Sequence, residues 1–153
     1  MKRWAALALV LALCALMPTS AIGQQSEPRG RKAGALGHNY PNPFNPETWL
    51  SFSVGDEGCA EPGRLYRVTV RIYNVLAQPV GIPLLEAPTE TGATSSGNAG
   101  QPLVNLALTC GAYTARWDGK FMKTGREVAS GVYLWELVID GKRIGARKML
   151  VAK

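Results

Sequence analysis

The sequence predicts an all-β domain built of antiparallel sheets, and three observations support this fold class. In several short segments of the 153-residue chain, apolar residues alternate with polar ones, which is the period of a strand with one buried and one solvated face. Glycine, proline, asparagine and aspartate separate these segments, as turns do between strands. After the N-terminal apolar run, no segment has the 3.6-residue period of an amphipathic helix.

The first 23 residues predict a cleavable signal peptide. Lys2 and Arg3 precede the apolar run Ala5–Leu16, and the small residues Ala21 and Gly23 follow it at a spacing typical of cleavage sites. A membrane-spanning helix needs about 20 apolar residues, so this run is too short to span. An uncleaved anchor is the alternative. We therefore expect export, and no stable membrane span after cleavage.

The predicted domain follows a leader. Residues 24–38 contain serine, proline, glycine and several bases with few apolar side chains, which predicts a flexible leader. Three prolines in the segment from Tyr40 to Pro46 exclude a helix and predict a rigid, extended stretch with turns. The predicted folded domain spans residues 39–153.

The alternating segments predict about seven strands. In chain order they cover residues 48–54, 66–73, 80–85, 103–108, 112–117, 132–139 and 142–151. Prolines in and beside the third place it at a sheet edge, and in the fourth Val104, Leu106 and Leu108 are predicted to share one face. Asp140-Gly141 between the last two is a two-residue hairpin signal. Short strands at such spacing predict an immunoglobulin-like antiparallel β-sandwich, with a mobile loop over residues 89–101.

The charge of the chain does not indicate a nucleic-acid ligand. The formal net charge is +6, and the predicted cleavage removes two of the bases. Lys142, Arg143, Arg147 and Lys148 lie on predicted strands near the C-terminus rather than on a recognition helix or among aromatic side chains. We interpret them as solvated charges that protect a sheet edge from pairing with other chains.

Two cysteines, Cys59 and Cys110, remain after Cys14 leaves with the signal peptide. An even number of cysteines in an exported chain indicates a disulfide. Closing a loop of this length would stabilise the fold by about 4 kcal/mol in the chain-entropy model. The alternative is a pair of buried thiols.

Residues that could carry catalysis are few. The single histidine, His38, falls in the predicted leader, which argues against a Ser-His-Asp arrangement. The cysteines and this histidine are too dispersed for a zinc site. Asp118 and Asp140 each precede a glycine, which favours turn formation over calcium binding, and Glu136 is expected to face water without a second carboxylate. These patterns predict no catalytic, cofactor or metal site and a protein that is not an enzyme.

Six motifs in chain order resemble one known family. They are NYPNPFNPET at 39–48, IYNVLAQPV at 72–80, GAY at 111–113, WDGK at 117–120, VASGVY at 128–133 and KMLVAK at 148–153. Together they look like a C-terminal sorting domain of the type IX secretion system. The pattern is shared with the immunoglobulin-like domain of flagellar hook-capping proteins. Ala77 stands where this family usually has glycine.

The resemblance implies passage of the inner membrane by the general export route, followed by recognition by an outer-membrane translocon, often with cleavage of the domain. By position, it implies that the translocon reads Ser130, Gly131, Val132, Tyr133, Arg147, Lys148, Met149, Leu150, Val151 and Lys153. From their pattern, the same residues are a turn glycine and a strand with Met149 and Val151 facing inward. Both interpretations are compatible.

Secretion or surface targeting is therefore the first functional hypothesis, with an extracellular, surface or alternatively periplasmic location. Sorting domains normally follow a large cargo, whereas only the leader precedes this one, so a stand-alone member, a remnant or a small secreted product are alternatives. The second hypothesis is a structural or adhesive binding module of the cell envelope with a protein or glycan ligand. Trp49 and Trp135 are its candidate stacking residues, although core filling would also explain them. Flagellar hook capping rests on fold analogy alone.

Overall fold

A computed structural model describes residues 33–56, 58–61, 63–87 and 97–153, and this part of the chain is all-β. Its nine strands are β1 (Gly34–Tyr40), β2 (Thr48–Val54), β3 (Tyr66–Tyr73), β4 (Pro79–Gly81), β5 (Leu84–Leu85), β6 (Leu106–Leu108), β7 (Gly111–Trp117), β8 (Gly131–Ile139) and β9 (Lys142–Val151). Within these ranges no helix could cross a bilayer. The predicted signal peptide, most of the predicted leader and most of the predicted loop 89–101 lie outside the described residues.

The strands form two antiparallel sheets. The first has the order β1-β2-β7-β5, and the second has the order β4-β3-β8-β9, with β6 paired to the first half of β3. Buried side chains from both sheets belong to one hydrophobic cluster. The described part is therefore sandwich-like, as the alternating pattern predicted at the level of fold class.

Strand alternation places the core between the sheets. In β2, Leu50, Phe52 and Val54 are buried while Trp49 and Ser51 are exposed. The same alternation buries every second residue of β8. The largest fully buried side chains include two tryptophans, one from each sheet, namely Trp117 and Trp135.

The first strand begins inside the segment predicted to be a leader. Residues 34–38 belong to β1, which pairs with β2 from Gly34 opposite Val54 to Tyr40 opposite Trp49. Leu36 packs over Gly145 of β9, where an added Cβ would lie 3.1 Å from a Leu36 methyl group. Pairing with β2 and packing on β9 order a segment whose glycines and alanine show no strand pattern.

The prediction for residues 103–108 is wrong in its buried face. Leu103 is buried and Val104 is exposed, and the strand itself covers only Leu106–Leu108. The cause is Asn105, whose positive φ of 52° interrupts the alternation. The backbone of Leu103 is held between Pro83 and Val70 through two hydrogen bonds.

The segment predicted as one edge strand over residues 80–85 divides into two. β4 lies at the edge of the second sheet and β5 at the edge of the first, so the edge position is confirmed. Pro83 lies between them and has no amide hydrogen to donate to a ladder. The chain changes sheets at this proline.

Cys59 and Cys110 form the predicted disulfide, with a Cα–Cα distance of 5.6 Å. The bond joins the loop after β2 to the residue that precedes β7. The alternative of two thiols is therefore wrong. Because the cysteines are 51 positions apart, the cross-link restricts a long loop of the unfolded chain.

A tight turn over residues 74–78 connects β3 to β4. The side-chain oxygen of Asn74 accepts hydrogen bonds from the amides of Leu76 and Gln78, each 3.0 Å long. Ala77 has a φ of 57°, a left-handed conformation that is unfavourable for residues with a Cβ because the Cβ comes too close to the backbone carbonyl. The turn is thus closed by Asn74 at the expense of strain at Ala77.

Replacing Ala77 with glycine should raise the free energy of unfolding by about 0.5–1 kcal/mol, because glycine adopts this φ without steric cost. Urea unfolding of the two proteins measures the difference. Ala112→Gly, in β7 and also exposed, is the matched control and should lower the free energy of unfolding. A loss in both variants would contradict strain at Ala77.

Candidate functional site

The hairpin of β8 and β9 brings together the two segments that the resemblance marks for recognition. Gly131 lies opposite Val151, Val132 opposite Leu150 and Tyr133 opposite Met149, in antiparallel register. At the other end of the hairpin, Asp140 and Gly141 both have positive φ, as a two-residue turn requires. The hairpin prediction is confirmed, and its open end collects the candidate residues into one patch.

The patch has a buried and an exposed part. Its buried members are Tyr133, Met149 and Val151, and its exposed members are Ser130, Val132, Arg147, Lys148, Leu150 and Lys153, with Gly131 between the two classes. The prediction that Met149 and Val151 face inward is confirmed. Since the buried side chains fill the core, a partner of the folded domain can contact only the exposed ones.

The start of β8 is anchored by Tyr133. Its ring packs against Trp117 with 5.8 Å between ring centroids, and its hydroxyl donates a 3.0 Å hydrogen bond to the carbonyl oxygen of Ala129. Burial raises the pKa of the Tyr133 phenol, against a smaller opposing effect of the Lys153 ammonium. The phenol therefore remains a neutral donor that holds the corner before the strand.

The end of the chain is tied to the loop before β8. The backbone amide of Lys153 donates to the Ser130 hydroxyl at 3.1 Å, and its ammonium pairs with the Glu127 carboxylate at 2.7 Å. The hydrogen bond from the Lys153 ammonium to the Glu127 carboxylate, together with the charges of Lys153 and Lys120, lowers the pKa of Glu127. Both charged groups are solvent-accessible, so the pair positions the terminus more than it stabilises the fold.

The outer backbone edge of the last residues of β9 is already occupied. The amide of Phe44 donates to the carbonyl of Leu150 at 2.9 Å, and the amide of Ala152 donates to the carbonyl of Phe44 at 3.1 Å, so that Phe44 and Val151 pair in parallel. The Asn42 side chain accepts the Leu150 amide at 2.9 Å. A partner can therefore not add a strand at this point without displacing the proline-rich segment.

No periodicity in the sequence indicates this contact. The proline-rich motif and the terminal motif are separate parts of the resemblance. Only the hydrogen bonds reveal their pairing, because parallel pairing between distant segments has no local signature.

The two tryptophans proposed for stacking lie in different environments. Trp135 is fully buried, and its indole nitrogen has no hydrogen-bond partner among the described residues, so a surface role for it is wrong. Trp49 is 40% exposed on the first sheet, directly opposite Tyr40, which is 79% exposed. On its other side Arg116 is held by the carboxylates of Glu86 at 2.9 Å and Glu47 at 3.2 Å.

The two aspartates weighed for calcium take part in turns. Asp118 accepts the amide of Lys120 at 3.1 Å, and Asp140 accepts the amide of Arg67 at 2.8 Å. Glu136 is partly buried on the second sheet, where it accepts a hydrogen bond from Tyr73. In the described ranges, no three histidine, cysteine, aspartate or glutamate side chains are grouped so that they could hold a metal.

No protein-family model matches the chain, and no curated protein matches it. Among solved structures, the fold is similar to part of the Pseudomonas fluorescens alkylpurine DNA glycosylase AlkC bound to DNA containing an abasic site analog, with a TM-score of 0.46 and 15% sequence identity. The likeness covers 80% of this chain and 31% of that one, so the chain spans about a third of its length.

The prediction that the chain is not an enzyme is contradicted by this match, because the matched protein is an enzyme, and we do not retain it. A TM-score of 0.46 at 15% identity assigns neither an activity nor a DNA ligand to the present chain.

Lys153→Gln should raise the pKa of Glu127 toward its ordinary value, since it removes the hydrogen bond that lowers it. Because the folded-state pKa is depressed, the contact stabilises the fold above the unfolded pKa and is lost as pH falls through the folded value. An NMR titration of the Glu127 carboxyl carbon measures this pKa in the wild type and in Lys153→Gln. Lys120→Gln is the control and should have a smaller effect; equal effects would contradict the direct contact.

Proposed function

We propose that this domain is a secretion or surface-targeting module similar to the sorting domains of type IX secretion, read at the open end of the β8–β9 hairpin. The observation that carries the proposal is the cross-strand pairing of the segments around Gly131 and Val151, about 20 residues apart in sequence. The resemblance implies a recognition role for both segments.

The strand order supports an immunoglobulin-like β-sandwich as the scaffold. The first sheet corresponds in order to strands A, B, E and D of immunoglobulin domains, and the second to strands C′, C, F and G. The Tyr133 hydroxyl bonded to a backbone carbonyl four residues upstream is consistent with the tyrosine corner of that fold. The nine strands of the described part exceed the seven of a constant-type immunoglobulin domain by the two short strands β4 and β6. The disulfide lies elsewhere than the inter-sheet bond of antibody domains.

The exposed part of the patch suggests the chemistry of its partner. Val132 and Leu150 are an exposed cross-strand pair, and Lys148 lies on the same face of the hairpin. Arg147 is exposed on the other face of β9, opposite Trp135. A complementary surface would be apolar at its centre and acidic beside it. Because Phe44 occupies the backbone edge, recognition would proceed through these side chains.

The proposed location follows from the predicted signal peptide over residues 1–23. A processed chain would enter the periplasm and then reach the surface or the medium through an outer-membrane translocon. A periplasmic protein is the alternative, and the position of the processed chain distinguishes the two.

Arg147→Glu/Lys148→Glu should reduce export beyond the outer membrane by roughly tenfold or more, because it replaces two positive charges of the patch with negative ones without altering a buried side chain. Fractionation of native cells, with mass spectrometry of both ends of the protein, measures the exported fraction and its trimming. Lys142→Glu/Arg67→Glu makes the same charge change at the turn end of the hairpin, on exposed residues that form no ion pair within the described ranges, and is the matched control.

Thermal unfolding of both variants checks that each is folded. Unchanged export of the patch variant, or an equal loss in the control, would contradict recognition at this patch. An intact wild-type chain that remains in the periplasm would contradict the sorting function itself.

A second candidate function, an adhesive binding module with a glycan ligand, is favoured by Tyr40 and Trp49. These neighbouring aromatic side chains are exposed on the outer face of the first sheet, and the small side chains of Ser51 and Thr114 lie beside them. Aromatic faces stack on sugar rings, and the nearby carboxylates of Glu47 and Glu86 could accept hydrogen bonds from hydroxyl groups.

If this candidate function holds, Trp49→Ala should weaken glycan binding by roughly tenfold or more, since an aromatic anchor is lost. A glycan array followed by titration of the bound sugar gives the measurement. Leu65→Ala removes an exposed apolar side chain elsewhere and serves as the control. Absence of any glycan ligand, or equal binding by wild type and Trp49→Ala, would exclude this site.

A further inference from the structure

One end of the domain contains an open cavity of about 800 Å³, which shares only Lys153 with the proposed recognition patch. It lies between the turn 74–78, the loop from Phe121 to Ala129 and Lys153. Its apolar lining consists of Pro79, Val80, Phe121, Met122, Val128 and Ala129. A largely apolar cavity of this size with a few charged groups is typical of a ligand site.

Backbone hydrogen bonds shape the loop that forms one wall. Lys120 and Glu127 pair as an antiparallel bridge, and the amide of Phe121 donates to the carbonyl of Arg126 at 2.9 Å. The amide of Met122 donates to the carbonyl of Val80 at 2.8 Å, which fastens the loop to β4. Both walls of the cavity are thus held by regular backbone contacts.

The turn beside the cavity carries exposed aliphatic side chains. Val75 and Leu76 are 72% and 74% exposed, more than any other large aliphatic side chain in the described part, and Met122 on the facing loop is exposed as well. Covering neighbouring apolar side chains at a turn tip with an apolar phase lowers the free energy, because their surface leaves water.

The charges at this end favour an anion. Lys153 is paired with Glu127, and Lys120 lies 3.7 Å from Asp118. Lys123 and Arg126 have no ion pair within the described ranges, although both line the cavity. Their side chains leave an excess of two positive charges beside an apolar surface.

We infer that this end of the domain docks on an anionic lipid surface. Val75 and Leu76 enter the acyl boundary, Lys123 and Arg126 contact headgroup phosphates, and the cavity accepts part of an acyl chain. An apolar tip flanked by cations is the combination that binds such an interface, where each cation near the surface adds an attraction to anionic lipid. This inference rests on the geometry of the cavity end and not on the proposed secretion function.

Co-sedimentation with phosphatidylcholine vesicles, with and without phosphatidylglycerol, tests the inference on the protein purified from native cells. Binding should require phosphatidylglycerol and weaken as salt is added. Lys123→Gln/Arg126→Gln should lower the partition coefficient roughly 25-fold, about fivefold for each charge. Leu76→Asp should lower it roughly tenfold or more.

Matched controls lie at the opposite end of β3. Lys142→Gln/Arg67→Gln removes the same charge, and Leu65→Asp changes a side chain that is 61% exposed. All variants share one N-terminus, so its contribution cancels. Controls that bind as wild type support the inference. An equal loss of binding in the controls overturns it, because general charge attraction would then explain the binding.

A second readout does not depend on the loss of binding. Tryptophan fluorescence of Leu76→Trp should shift to the blue on anionic vesicles, because the indole leaves water, whereas Leu65→Trp should not shift. Absence of a shift with Leu76→Trp overturns lipid docking. Equal binding to vesicles with and without phosphatidylglycerol overturns the assignment of an anionic surface.

Discussion

The parallel pairing of Phe44 with the end of β9 is the contact on which the arrangement of this domain depends. Phe44 follows β1, an edge strand of the first sheet, yet its backbone bonds to Leu150 and Ala152 at the edge of the second. Its ring is buried against Trp117, with 5.6 Å between centroids. One residue thus connects the two sheets and fills the space between them, as close packing of the core requires.

The surroundings of Phe44 explain why this segment holds its path. Asn39 donates to the Thr48 hydroxyl at 3.1 Å, and that hydroxyl donates to the carbonyl of Pro41 at 2.9 Å. Gly119 lies so close to the carbonyl oxygen of Pro46 that a Cβ at this position would clash with it. The hydrogen bond from the Thr48 hydroxyl satisfies a backbone carbonyl of a proline-rich segment that cannot form a regular ladder, and the close contact with Gly119 restricts its path.

The two proposed surfaces are neighbours because Lys153 belongs to both. It closes the hairpin patch through Ser130 and lines the cavity through its contact with Glu127. A ligand in the cavity would lie beside the terminal strand, and a partner on the strand would approach the rim of the cavity. Occupancy of one surface would therefore alter access to the other.

The sequence by itself determined the strands whose two faces differ in polarity, the hairpin at Asp140-Gly141 and, with Cys14 assigned to the predicted signal peptide, the pairing of Cys59 with Cys110. These features depend on local alternation, turn chemistry and counting. Tertiary structure decided that Gly34–Tyr40 is a strand, that Leu103 rather than Val104 is buried, and that Trp135 is in the core while Trp49 is exposed. Each of these outcomes depends on partners distant in sequence, for which the local pattern contains no signal.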